Sequence, residues 1–272
     1  MWRRVVIAAA AALALSGCGG AAGTAEEAKP DKVRVVVIGD SLINPENGCP
    51  GGCTGFVERF TDHVASLLGS EAESQMVPSG GLPDAVAAVS KPGPEADKIA
   101  SADVVVVQVG FNNALPDPET GIGCKTWFLD TEPDCLAEGV KTYGGLYDQV
   151  FAGVKALRGD KPTVYIATTT VNGNISPAEE SPDGLLALYA TSDREKEAKA
   201  WAVAAYDRWN TMLTERAGAA GFQVVDLYHA FNGPAGSQDY IPEYSDGAHP
   251  NQAGNDLIAA KLAEADLSAI DR

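Results

Sequence analysis

Past residue 32 the chain alternates short apolar runs with longer amphipathic stretches. The runs are residues 33–38, 103–109 (DVVVVQV), 163–168 (TVYIAT) and 222–227 (FQVVDL), with a weaker one at 73–77. They are rich in Val and show little polar alternation, the pattern of strands covered on both faces. Between them, residues 55–68 place Phe56, Phe60, His63 and Leu67 on one helical stripe. Residues 136–158 and 195–220 read as longer helices, and a last one starts at Pro250 and runs to about Asp266. Strands alternating with helices predict an α/β fold, a parallel sheet flanked by helices. No internal repeat and no second domain is visible.

Three connections exceed what such units need: residues 42–54, 111–135 and 170–194. Each is expected at the carboxyl end of a strand, the edge where open α/β sheets bind ligands.

Composition changes the picture at two points. With 20 Lys and Arg against 37 Asp and Glu, the formal net charge is −17. Such a surface repels phosphate backbones, so nucleic acid is not an expected partner. The N-terminus, MWRRVVIAAAAALALSGC, carries Arg3 and Arg4 before an apolar core, Val5 to Leu15, too short to span a bilayer. Residues 1–17 therefore read as an export signal and 18–32 as a small, polar tether before a domain at 33–272. Leu15-Ser16-Gly17-Cys18 resembles the lipobox of bacterial lipoproteins, which implies cleavage before a lipid-modified Cys18. A plain secretory peptide cut nearby is the alternative.

Four cysteines remain: Cys49, Cys53, Cys124 and Cys135. An even number in an exported chain points to disulfides. Local pairing, Cys49–Cys53 and Cys124–Cys135, is preferred because each pair sits within one loop, although three connectivities are possible. A zinc site is the alternative; the spacings do not match finger patterns and only three His are present.

The first strand stops at Gly39-Asp40-Ser41-Leu42. A hydroxyl there has its backbone fixed by the sheet and its oxygen in the crevice, as a nucleophile requires. A serine needs a base. His63 lies on the apolar stripe of 55–68 and reads as a packed residue. His229, in DLYHAF, reads as lacking a close acid partner. His249, in SDGAHPN, follows Asp246 by three residues on the loop before the last helix. That spacing lets a carboxylate hold an imidazole in its tautomer and steady the imidazolium. Oxyanion donors are offered by Ser79-Gly80-Gly81 and by Gly110-Phe111-Asn112-Asn113, each just after a strand.

Gly39-Asp40-Ser41-Leu42, a glycine near 80, Gly110-x-Asn112 and Asp246-x-x-His249 resemble the four blocks of the SGNH hydrolases, also called GDSL esterases and lipases. The resemblance implies a flavodoxin-like three-layer α/β/α sandwich with a five-stranded parallel sheet, hydrolysing acyl esters with no cofactor and no metal. It assigns Ser41 as nucleophile and oxyanion donor, Gly80 (or Gly81) and Asn112 as further donors, His249 as base and Asp246 as its acid. The chain departs from the family in three places. The second block, VPSGGLPD, fits loosely. Asn113 stands where an Asp is usual, and the INPENGCPGGC loop delays the helix after the serine.

The expected activity is a serine esterase, lipase-like or short-chain, with a carbohydrate O-deacetylase or a non-catalytic ligand-binding surface lipoprotein as alternatives. The expected partners are a small-molecule, lipid or glycan ester, and a membrane through the lipid anchor only; the expected state is a monomer at the outer face of the cell membrane. Trp127, Phe128, Tyr240 and Tyr244 are candidates to line an acyl or sugar pocket.

Overall fold

The computed structural model describes residues 32–49, 51–110, 133–175, 194–238 and 249–270. The signal, the tether up to residue 31, and residues Cys18, Asn112, Cys124, Trp127, Phe128, Tyr240, Tyr244 and Asp246 lie outside them.

Five strands form one sheet: β1 (Lys32–Gly39), β2 (Glu71–Pro78), β3 (Val104–Gln108), β4 (Val164–Thr168) and β5 (Gln223–Val225). Every pairing is parallel and the order is β2-β1-β3-β4-β5. β1 thus pairs with β2 on one side and β3 on the other, and the chain reverses its winding at the β1/β3 junction. This is the doubly wound arrangement whose ligand crevice opens at that switch point.

The Val runs divide their side chains between two cores. Val33, Val35 and Val37 of β1 and Val104 and Val106 of β3 pack with α1 (Phe56–Leu68) and with α6 (Leu227–Asn232) and α7 (Gln252–Leu262). Val36, Ile38, Val105 and Val107 pack on the other face with α2 (Leu82–Ser90), α3 (Pro94–Ser101), α4 (Pro133–Arg158) and α5 (Glu195–Ala219). Alternation along a strand sends successive side chains to opposite faces, so near-continuous apolar runs are what two covered faces demand. The result is the α/β/α sandwich expected from the sequence.

Three readings need correction. The stripe of α1 is Phe56, Phe60, Val64 and Leu68; Leu67, one residue off that face, is 59% exposed. β5 ends at Val225, because Asp226 turns to cap α6, its carboxylate accepting the His229 N–H. The last helix begins at Gln252, not Pro250, since Asn251 is its N-cap and accepts from the Gly254 N–H.

Among the described residues, no helix is long and apolar enough to cross a membrane. The Cys49–Cys53 disulfide is formed, with Cα atoms 5.5 Å apart. Cys124 lies outside the described residues, and so does its pairing with Cys135.

Candidate active site

β1 ends in Gly39, and only glycine fits there: a Cβ would fall 2.1 Å from Ile43 Cγ2 and 3.2 Å from Gln108 Oε1. The chain then folds into a short 3-10 turn, Ser41–Ile43, with Asp40 as its cap. Asp40 is buried; its Oδ1 accepts the Leu42 N–H at 3.1 Å and its Oδ2 the Gly110 N–H at 2.8 Å. Burial pushes the Asp40 carboxyl above the usual range, and the Gly110 and Leu42 N–H groups and the His249 ring pull against it. Ser41, next in sequence, is left exposed at the β1/β3 crevice.

His249 enters from the other end of the chain. Its Nε2 lies 3.0 Å from Ser41 Oγ, across a sequence separation of 208 residues. The start of α7 is anchored behind it. The Asn255 amide donates to Pro250 O (3.1 Å) and Asn251 O (2.9 Å), while Asn255 Oδ1 accepts the Phe56 N–H of α1 at 2.9 Å. Neighbouring strand ends are fixed in the same way. Tyr147 donates its hydroxyl to Val109 O at 2.5 Å, and the Asn210 amide exchanges two hydrogen bonds with the Thr170 main chain. A serine hydroxyl beside an imidazole nitrogen on such a pinned edge can be deprotonated for nucleophilic attack.

The second block sits beside this pair. Gly39 is in register with Pro78, and the Ser79 N–H donates to Gly39 O at 2.8 Å, so Gly80 follows alongside Ser41. The Gly80 N–H donates to Asp84 Oδ2 at 2.9 Å, tying the residue before the N-cap of α2 to its first turn. Gly81 is the buried, extended N-cap residue of that helix.

The sequence reading misjudges His229. It has a close acid partner: Nδ1 lies 2.6 Å from Asp226 Oδ2, and Asp226 Oδ1 accepts the His229 N–H and the Thr169 hydroxyl. The signal was present, since Asp226 precedes His229 by the spacing that separates Asp246 from His249. This pair faces a cavity of about 720 Å³ shared with Asp207, Asn210 and Thr214. It lies past β5, with two strands between it and β1, about 14 Å across the sheet from Ser41 at ordinary strand spacing. His63 is half-buried on α1. Asp40 as a clamp, and Asn255 as an anchor, escape the sequence reading altogether. Among the described residues no group of three or more His, Cys, Asp or Glu is arranged to hold a metal.

The family model for the GDSL-like lipase/acylhydrolase family matches residues 37–257. No curated protein sequence matches the chain. Among solved structures, a lipase from a goat rumen metagenome is similar at TM-score 0.61 and 18% identity, covering 85% of this chain and 95% of that one. An acetylxylan esterase of Geobacillus stearothermophilus is similar at TM-score 0.53 and 16% identity, covering 86% and 95%. A lipase/acylhydrolase of Enterococcus faecalis is similar at TM-score 0.50 and 18% identity, covering 85% and 93%.

Proposed function

Because the chain belongs to the GDSL-like lipase/acylhydrolase family, we propose that it is a serine esterase that splits carboxylic esters through an acyl-enzyme. The observation that carries this reading is the 3.0 Å approach of His249 Nε2 to Ser41 Oγ. Neutral His249 takes the Ser41 proton as Oγ attacks the ester carbonyl, and Asp246 orients the ring. The tetrahedral oxyanion is held by main-chain N–H groups at Ser41 and Gly80 and by the Asn112 amide. His249 then returns the proton to the departing alcohol. Water, activated by the same ring, releases the acid and restores Ser41.

Asp84 bears on the second donor. Its carboxylate accepts the Gly80 N–H, so the oxyanion has to displace it before that N–H serves catalysis. With Asp84 in place, Ser41 and Asn112 carry the oxyanion.

The reading includes export and attachment through Cys18. Arg3, Arg4, the apolar core to Leu15 and the Leu-Ser-Gly-Cys run support it, as does a disulfide suited to an oxidising compartment. Stable anchoring requires two or more acyl chains.

The substrate is tested by hydrolysis of p-nitrophenyl esters from two to sixteen carbons beside acetate release from acetylated xylan. Turnover confined to acetyl groups and strong on xylan supports a carbohydrate deacetylase. A maximum at longer chains supports a lipid ester. No turnover of any ester by the folded protein overturns the esterase reading.

A further inference from the structure

The connection between the Ser41 turn and α1 is longer than a strand-to-helix link requires, and its contacts are unevenly distributed. Asn44 caps a 3-10 turn at Pro45–Asn47, its Oδ1 accepting the Glu46 N–H at 3.1 Å. From that turn the Asn47 amide reaches back and donates to the main-chain oxygen of Ser41 at 2.8 Å. The next residue, Gly48, is buried against the segment that carries His249. A Cβ on Gly48 would fall 2.3 Å from Pro250 O, 2.9 Å from Pro250 C and 3.0 Å from His249 C. Gly48 has φ −100° and ψ −15°, open to any residue, so glycine is needed here for space and not for conformation. The Cys49–Cys53 disulfide closes the loop directly after this contact. At the far end, Thr54 exchanges two hydrogen bonds with the Gln252 side chain, at 3.0 and 3.2 Å, where α7 begins.

One short segment thus touches both members of the Ser41–His249 pair. We propose that residues 44–49, closed by the Cys49–Cys53 disulfide and tied to α7 through Thr54, form a bracket that sets the spacing of the pair, with Asn47 and Gly48 as positioning residues. Asn47 fixes the main chain at Ser41, Gly48 is the flat seat for the His249–Pro250 backbone, and the disulfide holds the loop closed directly after Gly48. The proposal rests on the esterase reading for its effect on rate. A misplacement of about 1 Å between reacting groups costs on the order of a hundredfold in rate, so a part that sets this distance acts on turnover while making no contact with substrate.

The test compares Gly48→Ala, Asn47→Ala and the double variant Cys49→Ser/Cys53→Ser with Gly52→Ala. Gly52 is in the same loop, but a Cβ there meets nothing within 4 Å. For p-nitrophenyl acetate, Gly48→Ala is expected to lower kcat by about ten- to a hundredfold with KM changed less than about threefold. Asn47→Ala and the double variant are expected to lower kcat several-fold, and Gly52→Ala to match the parent. Hydrogen exchange of the 249–255 amides supplies a readout independent of turnover: it quickens in the first three variants, while α5 exchanges as in the parent. Asn47 is exposed, so its variant keeps the test open if Gly48→Ala does not fold. Parent kcat and unchanged exchange in Gly48→Ala and Asn47→Ala would overturn the bracket. A folded parent that turns over no ester would overturn the esterase reading, and the exchange experiment still decides the bracket.

Discussion

The buried carboxylate of Asp40 accepts the N–H of Gly110 at 2.8 Å, tying the carboxyl end of β1 to that of β3 beside Ser41. The same carboxylate accepts the Leu42 N–H on the far side of Ser41, so one side chain holds the backbone around Ser41 and the end of β3 together. Asp40→Asn retains one acceptor and turns an amide toward the other N–H. A buried donor left unsatisfied costs about 1–3 kcal/mol, and removal of a desolvated charge offsets part of it. The expected outcome is a kcat lowered at least about tenfold with a modest change in stability.

The sign of the pH effect follows from the raised carboxyl. A carboxyl with its folded pKa above the unfolded value of 3.8 holds its proton more tightly in the native state. Stability from this group is therefore present at low pH and lost as pH rises through that window. Chemical denaturation of the parent and Asp40→Asn should show the variant gaining ground on the parent as pH rises above the ordinary carboxylate value.

His249 and His229 both have the geometry of a base, and only His249 reaches Ser41. His249→Ala is expected to cut kcat by about a thousandfold or more, and His229→Ala to leave it within about twofold. Burial raises the Asp226 carboxyl, but the His229 N–H, the His229 ring and the Thr169 hydroxyl outweigh it and hold the group below the usual range. Its contribution is present above the ordinary carboxylate value and lost as pH falls through the lower folded one. Asp226→Asn should therefore flatten the fall in stability below about pH 4, as read by denaturant titration.

Gly153 on α4 faces Val89 on α2, where a Cβ would stand 2.4 Å from Val89 Cγ2 and 2.7 Å from its Cβ. Alanine gains about 1 kcal/mol in helix propensity, but forcing a methyl into a packed face costs about 1–3 kcal/mol. Gly153→Ala is expected to destabilise, and Val89→Ala to relieve it: the double variant should be more stable than the sum of the singles in a denaturation cycle. Turnover should not change.

β1, β3 and β4 are legible in the sequence as short Val- and Ile-bearing runs between turn signals, while the more exposed edge strand β2, with a single Val, is the weakest run. α2 and α3 are not legible, since they are only nine and eight residues long, too short for a helical period to repeat. The approach of His249 to Ser41 is expected from residue type and spacing. The Asp226–His229 contact was equally available, since the spacing is the same, and which histidine meets the serine depends on which strand end lies across the crevice. The capture of the Gly80 N–H by Asp84, and the fit of Gly48 against Pro250, are close approaches between segments that no local pattern encodes.

The central claim is an activated serine, and the most direct measurement is covalent labelling of the folded protein with a fluorophosphonate, mapped by peptide mass. The account requires one phosphonyl group per chain, on Ser41, with labelling abolished in Ser41→Ala and slowed at least about a thousandfold in His249→Ala. Label absent from Ser41, or bound there equally fast without the His249 ring, would contradict it.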